Sequence, residues 1–406
     1  MTLVEFYDSN SIDNILSSLI LNPKRVILLG ENYDELEIFE KRMLKIFEKR
    51  KLNIKTECFE IDGYEFEDIK KFLYELVEKY SRCAFDLTGG SDIIHLALGA
   101  VSEKLPLSMH FVSSETGKLT VCSDKLDLYK QISEPKLGFE ELASIFGGSL
   151  KQKRTKNSYK TENFVDDIKL IWHICSRNCI EWNKTVQAVA NLLKFYAKHR
   201  GNNAYYADKN EVLSGYGQFG RKFALNKNIV MKLGENKLFT FSETEDKVFF
   251  SFKNKLVKEV MTKCGRIFEL YTYMMADTLI VKGEKIFDEA FNSVVLGWKS
   301  QTATEKKADS ELALNEVDVI LQRGIIPVFV SCKNGSCTSE ELYKLAVVAE
   351  RFGGTAAKKV LLTTYYAPES GFLQRAKELG ITVISGVHTM SYRKFSDTLL
   401  GLFWNE

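Results

Sequence analysis

The sequence predicts an α/β protein with two sheet-bearing units joined by a helical middle segment. Three observations lead there. The 406 residues exceed what one core usually holds, about 100–200 residues. Residues 1–130 alternate short apolar runs with amphipathic ones, and from Leu256 onward a long helix gives way to strands and helices in mixed order. With 45% hydrophobic residues, 27% charged and only five prolines, the chain can bury a core.

In the first unit, residues 2–7, 25–29, 54–61, 83–87 and 107–112 read as strands, being short and rich in Val, Ile, Leu and Phe. Residues 11–21, 34–50, 65–80 and 91–104 carry apolar positions at helical spacing, as Leu36, Phe39, Met43 and Phe47 do. Such alternation gives a mostly parallel, doubly wound sheet. A tight turn over 113–117 then leads into a last antiparallel strand at 118–122.

Residues 131–160 break the pattern. Lys151, Lys153, Arg154, Lys156 and Lys160 have no acid between them, which suits a solvated linker. Over 161–255, helices at 164–178 and 184–199 precede a hairpin of 237–241 with 247–252, an order like a winged helix or a packing layer for the next unit. Gly215-Tyr216-Gly217-Gln218-Phe219-Gly220 spells GxGxxG, but with no strand before it and no long helix after it the segment reads as a loop. Over 256–406, a helix at 256–275 leads to strands 293–298, 316–322 and 327–333, helix 339–352, strand 359–364, helix 371–380 and strand 382–386.

Bulk properties exclude several classes. A net charge of +2 does not mark the whole molecule for a polyanion. The eight cysteines lie mostly in apolar runs, as reduced thiols do, and His173, Cys175 and Cys179 lack the second pair a structural zinc needs. No secretory signal opens the chain and no apolar run reaches the roughly 18–20 residues of a membrane span, so a cytoplasmic protein without membrane contact is expected.

Ligands of open α/β sheets settle beyond the carboxyl ends of the strands. Three loops there have suitable chemistry: Asp8-Ser9-Asn10-Ser11, then Gly30-Glu31-Asn32, and above all Thr88-Gly89-Gly90-Ser91-Asp92. The two glycines let a ligand approach and the next helix offers free N–H groups, although a strand-to-helix turn alone would also use Gly-Gly and a Ser cap. In the last unit, Glu316 and Asp318 stand two apart on one strand face, and Lys333 closes the next strand with Ser331 on its face. Acid on one strand and lysine ending its neighbour is the core geometry of a PD-(D/E)xK nuclease, which holds Mg²⁺ or Mn²⁺; the alternative is an ion pair between adjacent strands. Glu269, on an otherwise apolar helix, needs a partner or a metal unless it is a helix-surface acid.

Residues 4–8 with 11–14, 25–30 and 86–90 resemble the CRISPR-associated Rossmann-fold (CARF) sensor domain over roughly 1–130. Residues 315–320, 331–335 and 342–354 are similar to the nuclease half of CARF effectors from type III CRISPR systems. The resemblance implies a homodimer that binds a cyclic oligoadenylate, often cyclic tetra-adenylate, and then cleaves DNA, RNA or both. It departs from the superfamily pattern at Ser331, which stands where an Asp or Glu belongs. Either Glu341 or Glu340 replaces that acid, or Ser331 acts through water, or the site is dead. A ligand-controlled transcription regulator and a ring nuclease that destroys its own messenger are the rival expectations.

Overall fold

The computed structural model describes residues 1–61, 65–80, 82–129, 135–218, 223–298, 313–365 and 369–404. The first unit forms as the alternation predicts: β1 (Thr2–Phe6), α1 (Leu16–Leu21), β2 (Arg25–Gly30), α2 (Tyr33–Lys49), β3 (Lys55–Glu60), α3 (Phe66–Lys79), β4 (Cys83–Asp86), α4 (Asp92–Ser102), β5 (Ser108–Val112) and β6 (Leu119–Asp124). The strand order is β3-β2-β1-β4-β5-β6, with only β6 antiparallel. Alternate residues serve opposite faces. Val4, Phe6, Ile27, Leu29 and Phe85 pack towards α3 and α4, whereas Leu3, Val26, Leu28 and Ala84 face α1 and α2. The helix expected over 11–21 is regular only in its second half, because Asp8, Asn10 and Asn14 tie the preceding residues into turns.

Residues 131–160 are not the linker the sequence suggests. Among the described residues, the stretch holds α5 (Phe139–Ile145) and β7 (Gly148–Arg154), which pairs antiparallel to β14 (Glu289–Trp298). Lys151, Lys153 and Arg154 of the basic run thus lie on a sheet edge, where lysines suit a strand with one unpaired side, and Lys156 and Lys160 lie in the turn after it. Arg154 is ion-paired to Glu259 at 2.8 Å, and the Lys153 ammonium lies 4.5 Å from the Phe291 ring.

The middle region contains α6 (Phe164–Ser176), α7 (Cys179–Asn191), β8 (Lys198–Gly201), β9 (Ala204–Asp208), α8 (Lys209–Gln218), α9 (Lys227–Glu235), β10 (Phe239–Glu243) and β11 (Lys247–Phe252). The first helix and the hairpin form as expected, whereas the second helix is Cys179–Asn191 and the expected helical end at 198–199 lies in β8; β8 and β9 extend the hairpin to a sheet ordered β10-β11-β9-β8. Gly215 and Gly217 lie in α8 rather than in a loop.

The helix expected over 256–275 is two, α10 (Lys255–Thr262) and α11 (Arg266–Asp277), broken at Gly265 with φ 82°. After the short ribbon β12 (Ile280–Val281) and β13 (Glu284–Lys285) come β14, β15 (Ala313–Arg323), β16 (Ile326–Lys333), α12 (Ser339–Gly353), β17 (Lys358–Thr363), α13 (Ser370–Glu378), β18 (Ile381–Ile384) and α14 (Tyr392–Trp404). The sheet order is β18-β17-β16-β15-β14-β7, parallel from β16 to β18 and antiparallel elsewhere. One apolar cluster joins the units, running from Leu28 and Phe39 through Phe139 and Leu142 to Phe329 and Phe352. No described helix is long and apolar enough to cross a membrane.

Candidate functional site

The second sheet opens into a fork. Pairing of β15 with β16 runs from Arg323↔Ile326 to Val319↔Val330 and ends, while β16 continues beside β17 to Lys333↔Thr363. Asp318 stands at the fork. Its Oδ2 accepts the Cys332 N–H at 2.7 Å, in place of a ladder partner, and the Ser331 hydroxyl at 3.3 Å. On the other side of β15, Ser293 (φ 47°) lies between the pairs Asn292↔Val319 and Val294↔Val317 and so stands opposite Asp318, where the ladder keeps its register but lacks a pair.

Alternation on β16 is as the sequence predicts. Val330 and Cys332 join the core under α11, with the Cys332 thiol 3.6 Å from the Thr272 hydroxyl, while Ser331 and Lys333 look into a cleft of about 590 Å³. Glu316, Asp318, Glu340 and Glu341 also line it. The Lys333 ammonium sits 2.7 Å from Glu341 Oε1, and Glu341 Oε2 accepts the Thr338 N–H at 3.1 Å as part of the α12 capping box. Both Glu341 oxygens are therefore engaged. Glu340 is exposed and paired with Lys344, and Glu316 is exposed on β15.

Glu269 is not a surface acid: its side chain is 20% exposed and bound by Arg266 at 2.6 Å, whose own side chain is 3% exposed. Burial and the nearby charge of Asp318 push the Glu269 carboxyl up to about 7, against the pull of Arg266. Burial likewise raises Asp318, opposed by the Cys332 N–H and Lys333. Arg266 is fixed by Glu259 at 2.8 Å, by Asn292 Oδ1 at 2.8 Å and by the Tyr159 hydroxyl. The sequence contained the Arg266–Glu269 spacing of one helical turn, but nothing in it marked Tyr159 or Asn292 as partners.

Among the described residues, no three His, Cys, Asp or Glu side chains converge on one point as a closed metal cage would require. Two carboxylates, each pushed up by burial and one also by the other's charge, nevertheless suit Mg²⁺, which is commonly held by one or two carboxylates and keeps its waters. Glu269 and Asp318 fit such an ion.

In the first unit the loops after β1 and β4 meet. Asp8 and Asn14 exchange bonds of 2.7 Å, and the Asp8 carboxylate accepts the Asn10 N–H at 2.8 Å and the Ser9 hydroxyl at 3.4 Å. Ser11 is buried. A Cβ on Gly89 would lie 2.2 Å from the Phe6 carbonyl and 3.0 Å from Asp8 Cβ, and Gly90 has φ 96° with Phe6 Cβ 2.7 Å from its own would-be Cβ. Both glycines are needed to seat this loop on β1, so filling Gly90 strains the fold before it touches a ligand. The Ser91 hydroxyl is buried without a partner among the described residues, as is Asp13 Oδ1, whose carboxyl burial pushes up to about 6. Asp92 opens α4 and Gly30 presses on Leu36 and Tyr7. Asn32 caps α2 by accepting the Asp34 N–H at 3.0 Å, and Glu31 beside it is exposed.

Beneath these loops lies a rung that sequence reasoning missed. Glu5, Asp86 and His110 are register partners on β1, β4 and β5, and all three are buried. Asp86 accepts the Thr88 N–H at 2.9 Å and the hydroxyls of Thr88 and Ser17; Ser18 donates to Glu5 at 2.7 Å. His110 completes the row at 2.8 Å from the Ser17 hydroxyl and 2.9 Å from that of Tyr129. A Glu within Leu-Val-Glu-Phe and a His within Met-His-Phe-Val were the signals available.

No family model matches the chain and no curated protein matches it by sequence. Solved structures do share its architecture. The crystal structure of protein VC1899 from Vibrio cholerae is 14% identical, with a TM-score of 0.71 over 100% of this chain and 98% of that one. Can2 from Sulfobacillus thermosulfidooxidans, solved in complex with cyclic tetra-adenylate, is 15% identical, with a TM-score of 0.70 over 99% and 97%. The chain thus has the α/β fold of these proteins from end to end: a Rossmann-like first sheet and a second, mixed sheet beyond the middle region.

Proposed function

We propose that this chain is a nuclease switched by a cyclic oligoadenylate, most simply cyclic tetra-adenylate, acting in the cytoplasm in type III CRISPR defence. The observation that carries the reading is the fork of β15 and β16, where Asp318, Lys333 and, from α11, the half-buried Glu269 gather in a chain that shares its full-length fold with Can2. The loops holding Asp8–Ser11, Gly30–Asn32 and Thr88–Asp92 form the activator site, and an even-membered ring suits a homodimer with the site on its axis.

Asp318 and Glu269 hold Mg²⁺ or Mn²⁺, with Glu316 within reach. Such an ion supplies Lewis acidity at the scissile phosphate and a water of lowered pKa. Lys333, once free of Glu341, faces the developing negative charge. Ser331 orients Asp318 through its hydroxyl instead of replacing the missing acid. Substrate is DNA, RNA or both, gripped through its backbone. Incubation with Mn²⁺, labelled DNA and RNA and a panel of cyclic oligoadenylates tests this. Activator-dependent cleavage that Asp318→Asn abolishes is expected. Ligand binding without cleavage of any substrate would instead favour a regulator with an inert second unit.

A further inference from the structure

The middle sheet has a second face that its core does not explain. Tyr205, Ala207, Val248, Phe250, Phe252 and Phe239 point into the apolar cluster, and by alternation Tyr206 and Phe249 point the other way. Neither of these two rings joins the cluster, and both are only half-buried. They are direct partners across β9 and β11, with centroids 6.5 Å apart and planes tilted 35°. Lys198 pairs with Tyr206 and Ser242 with Phe249, so one rung, Lys198–Tyr206–Phe249–Ser242, crosses all four strands.

Cations frame the rings. The Arg200 guanidinium lies 5.0 Å from the Phe249 centroid and the Lys247 ammonium 5.4 Å from that of Tyr206. The acid on this face, Asp208, pairs in register with Lys247 and is engaged at the start of α8, accepting the N–H groups of Asn210 at 3.0 Å and Glu211 at 3.1 Å. Adjacent aromatic rings on an open sheet, bordered by Lys and Arg, offer π-faces to unpaired bases and charge to phosphates. A duplex hides its base faces, and a second copy of this chain would set one basic face against another.

We infer that this face is a binding platform for single-stranded nucleic acid, with bases stacked on Tyr206 and Phe249 and phosphates met by Lys198, Arg200 and Lys247. Its role in feeding the cleft rests on the nuclease reading above. The physical link is α7: Asn183 exchanges bonds of 2.7 and 2.8 Å with Asn334, the residue after Lys333, and the chain beyond α7 leads into β8.

The test uses the full chain in EDTA, so that nothing is cut, with fluorescent oligothymidylate and a duplex of equal length followed by anisotropy. Tyr206→Ala and Phe249→Ala should each weaken single-strand binding about tenfold. Lys198→Glu, an exposed change that leaves the core alone, should weaken it and flatten its salt dependence, and none of the three should alter cyclic tetra-adenylate affinity. Oligothymidylate affinity unchanged in all three variants, or a duplex bound as tightly, overturns the platform. So does a fall in mass by light scattering for Phe249→Ala with oligothymidylate binding intact, which would make the face a contact between copies. If the parent, given Mn²⁺ and cyclic tetra-adenylate in place of EDTA, cuts nothing yet Phe249→Ala loses the oligonucleotide, the platform stands and the nuclease reading fails.

Discussion

The Asn10 side-chain amide donates to the Thr355 hydroxyl at 3.1 Å, joining the loop after β1 to the turn after α12. The contact is close on both sides, because a Cβ on Gly354, whose φ is 68°, would lie 2.9 Å from Asn10 Oδ1. The opposite end of α12 carries Glu341, which holds Lys333. One rigid helix therefore touches the candidate activator loop at one end and the candidate nuclease lysine at the other. Thr355→Val keeps the shape and removes the acceptor. Losing one bond worth about 1 kcal/mol should cut activator stimulation about fivefold. Initial cleavage rates with and without cyclic tetra-adenylate measure it, and an unchanged ratio would remove this contact from the route.

The grip of Glu341 on Lys333 gives a second expectation. Glu341→Gln keeps the capping box and removes the charge that holds the ammonium. Cleavage without activator should rise several-fold. Lys333→Ala should abolish cleavage while leaving Mn²⁺ binding, read by calorimetry, within a few-fold of the parent. Asp318→Asn should lower both together, and Ser331→Ala should cost about 1 kcal/mol or less in transition-state stabilisation, since its bond to Asp318 is long at 3.3 Å. A total loss in Ser331→Ala would place the serine in the metal shell.

The Glu269 carboxyl predicts a pH dependence. Burial and Asp318 push it up to about 7 from an ordinary 4.5, so between those values the folded chain binds the proton more tightly than the unfolded one. The stabilisation this gives is present below pH 4.5 and is lost as pH rises through about 7. In urea melts without metal, the parent should lose stability over that window relative to Glu269→Gln. Mn²⁺ affinity should rise over the same window, because the ion competes with the proton. A Glu269→Gln profile parallel to the parent's would mean that the glutamate titrates elsewhere.

Much of this was legible in the sequence, and the misses share a cause. Apolar periodicity gave both sheets, and two-residue spacing put Ser331 and Lys333 on one face of β16. Periodicity could not place residues 148–154, since an edge strand shows lysines to solvent just as a linker does. It also ran α10 and α11 together, because a single glycine at φ 82° breaks the helix without breaking the apolar pattern. Arg266, Tyr159 and Asn292 were invisible as a group because Tyr159 lies 107 residues from Arg266 and 133 from Asn292 along the chain. Gly90 was read as room for a ligand to approach, and the close seat of Phe6 against it is a second need for a glycine there that the sequence did not show. Gly90→Ala should accordingly lower the melting temperature by several degrees, read by circular dichroism, whether or not an activator is present.

The buried rung of Glu5, Asp86 and His110 sets a carboxyl whose protonated form is favoured beside one that anchors a loop. Burial and the charge of Asp86 hold the Glu5 carboxyl well above its ordinary range, which favours its protonated form, and Ser18 is its hydrogen-bonding partner. Burial likewise holds the His110 imidazole below its usual range, against the pull of Asp86. Glu5→Gln, which imitates the protonated acid, should therefore change stability at pH 7 by less than about 1 kcal/mol. The parent alone should lose stability as pH rises through the elevated Glu5 value, because a raised carboxyl stabilises only while it keeps its proton. Asp86→Ala differs in kind. It strips the acceptor from the part-buried Thr88 N–H and hydroxyl and from the buried Ser17 hydroxyl, at a cost of about 3 kcal/mol or more. It should also weaken cyclic tetra-adenylate binding, since Thr88 and α1 bracket the loops proposed to bind the activator. Urea titrations at pH 7 and pH 9 with ligand calorimetry separate the two variants. Equal destabilisation by both at pH 7 would mean that Glu5 carries charge in the folded chain.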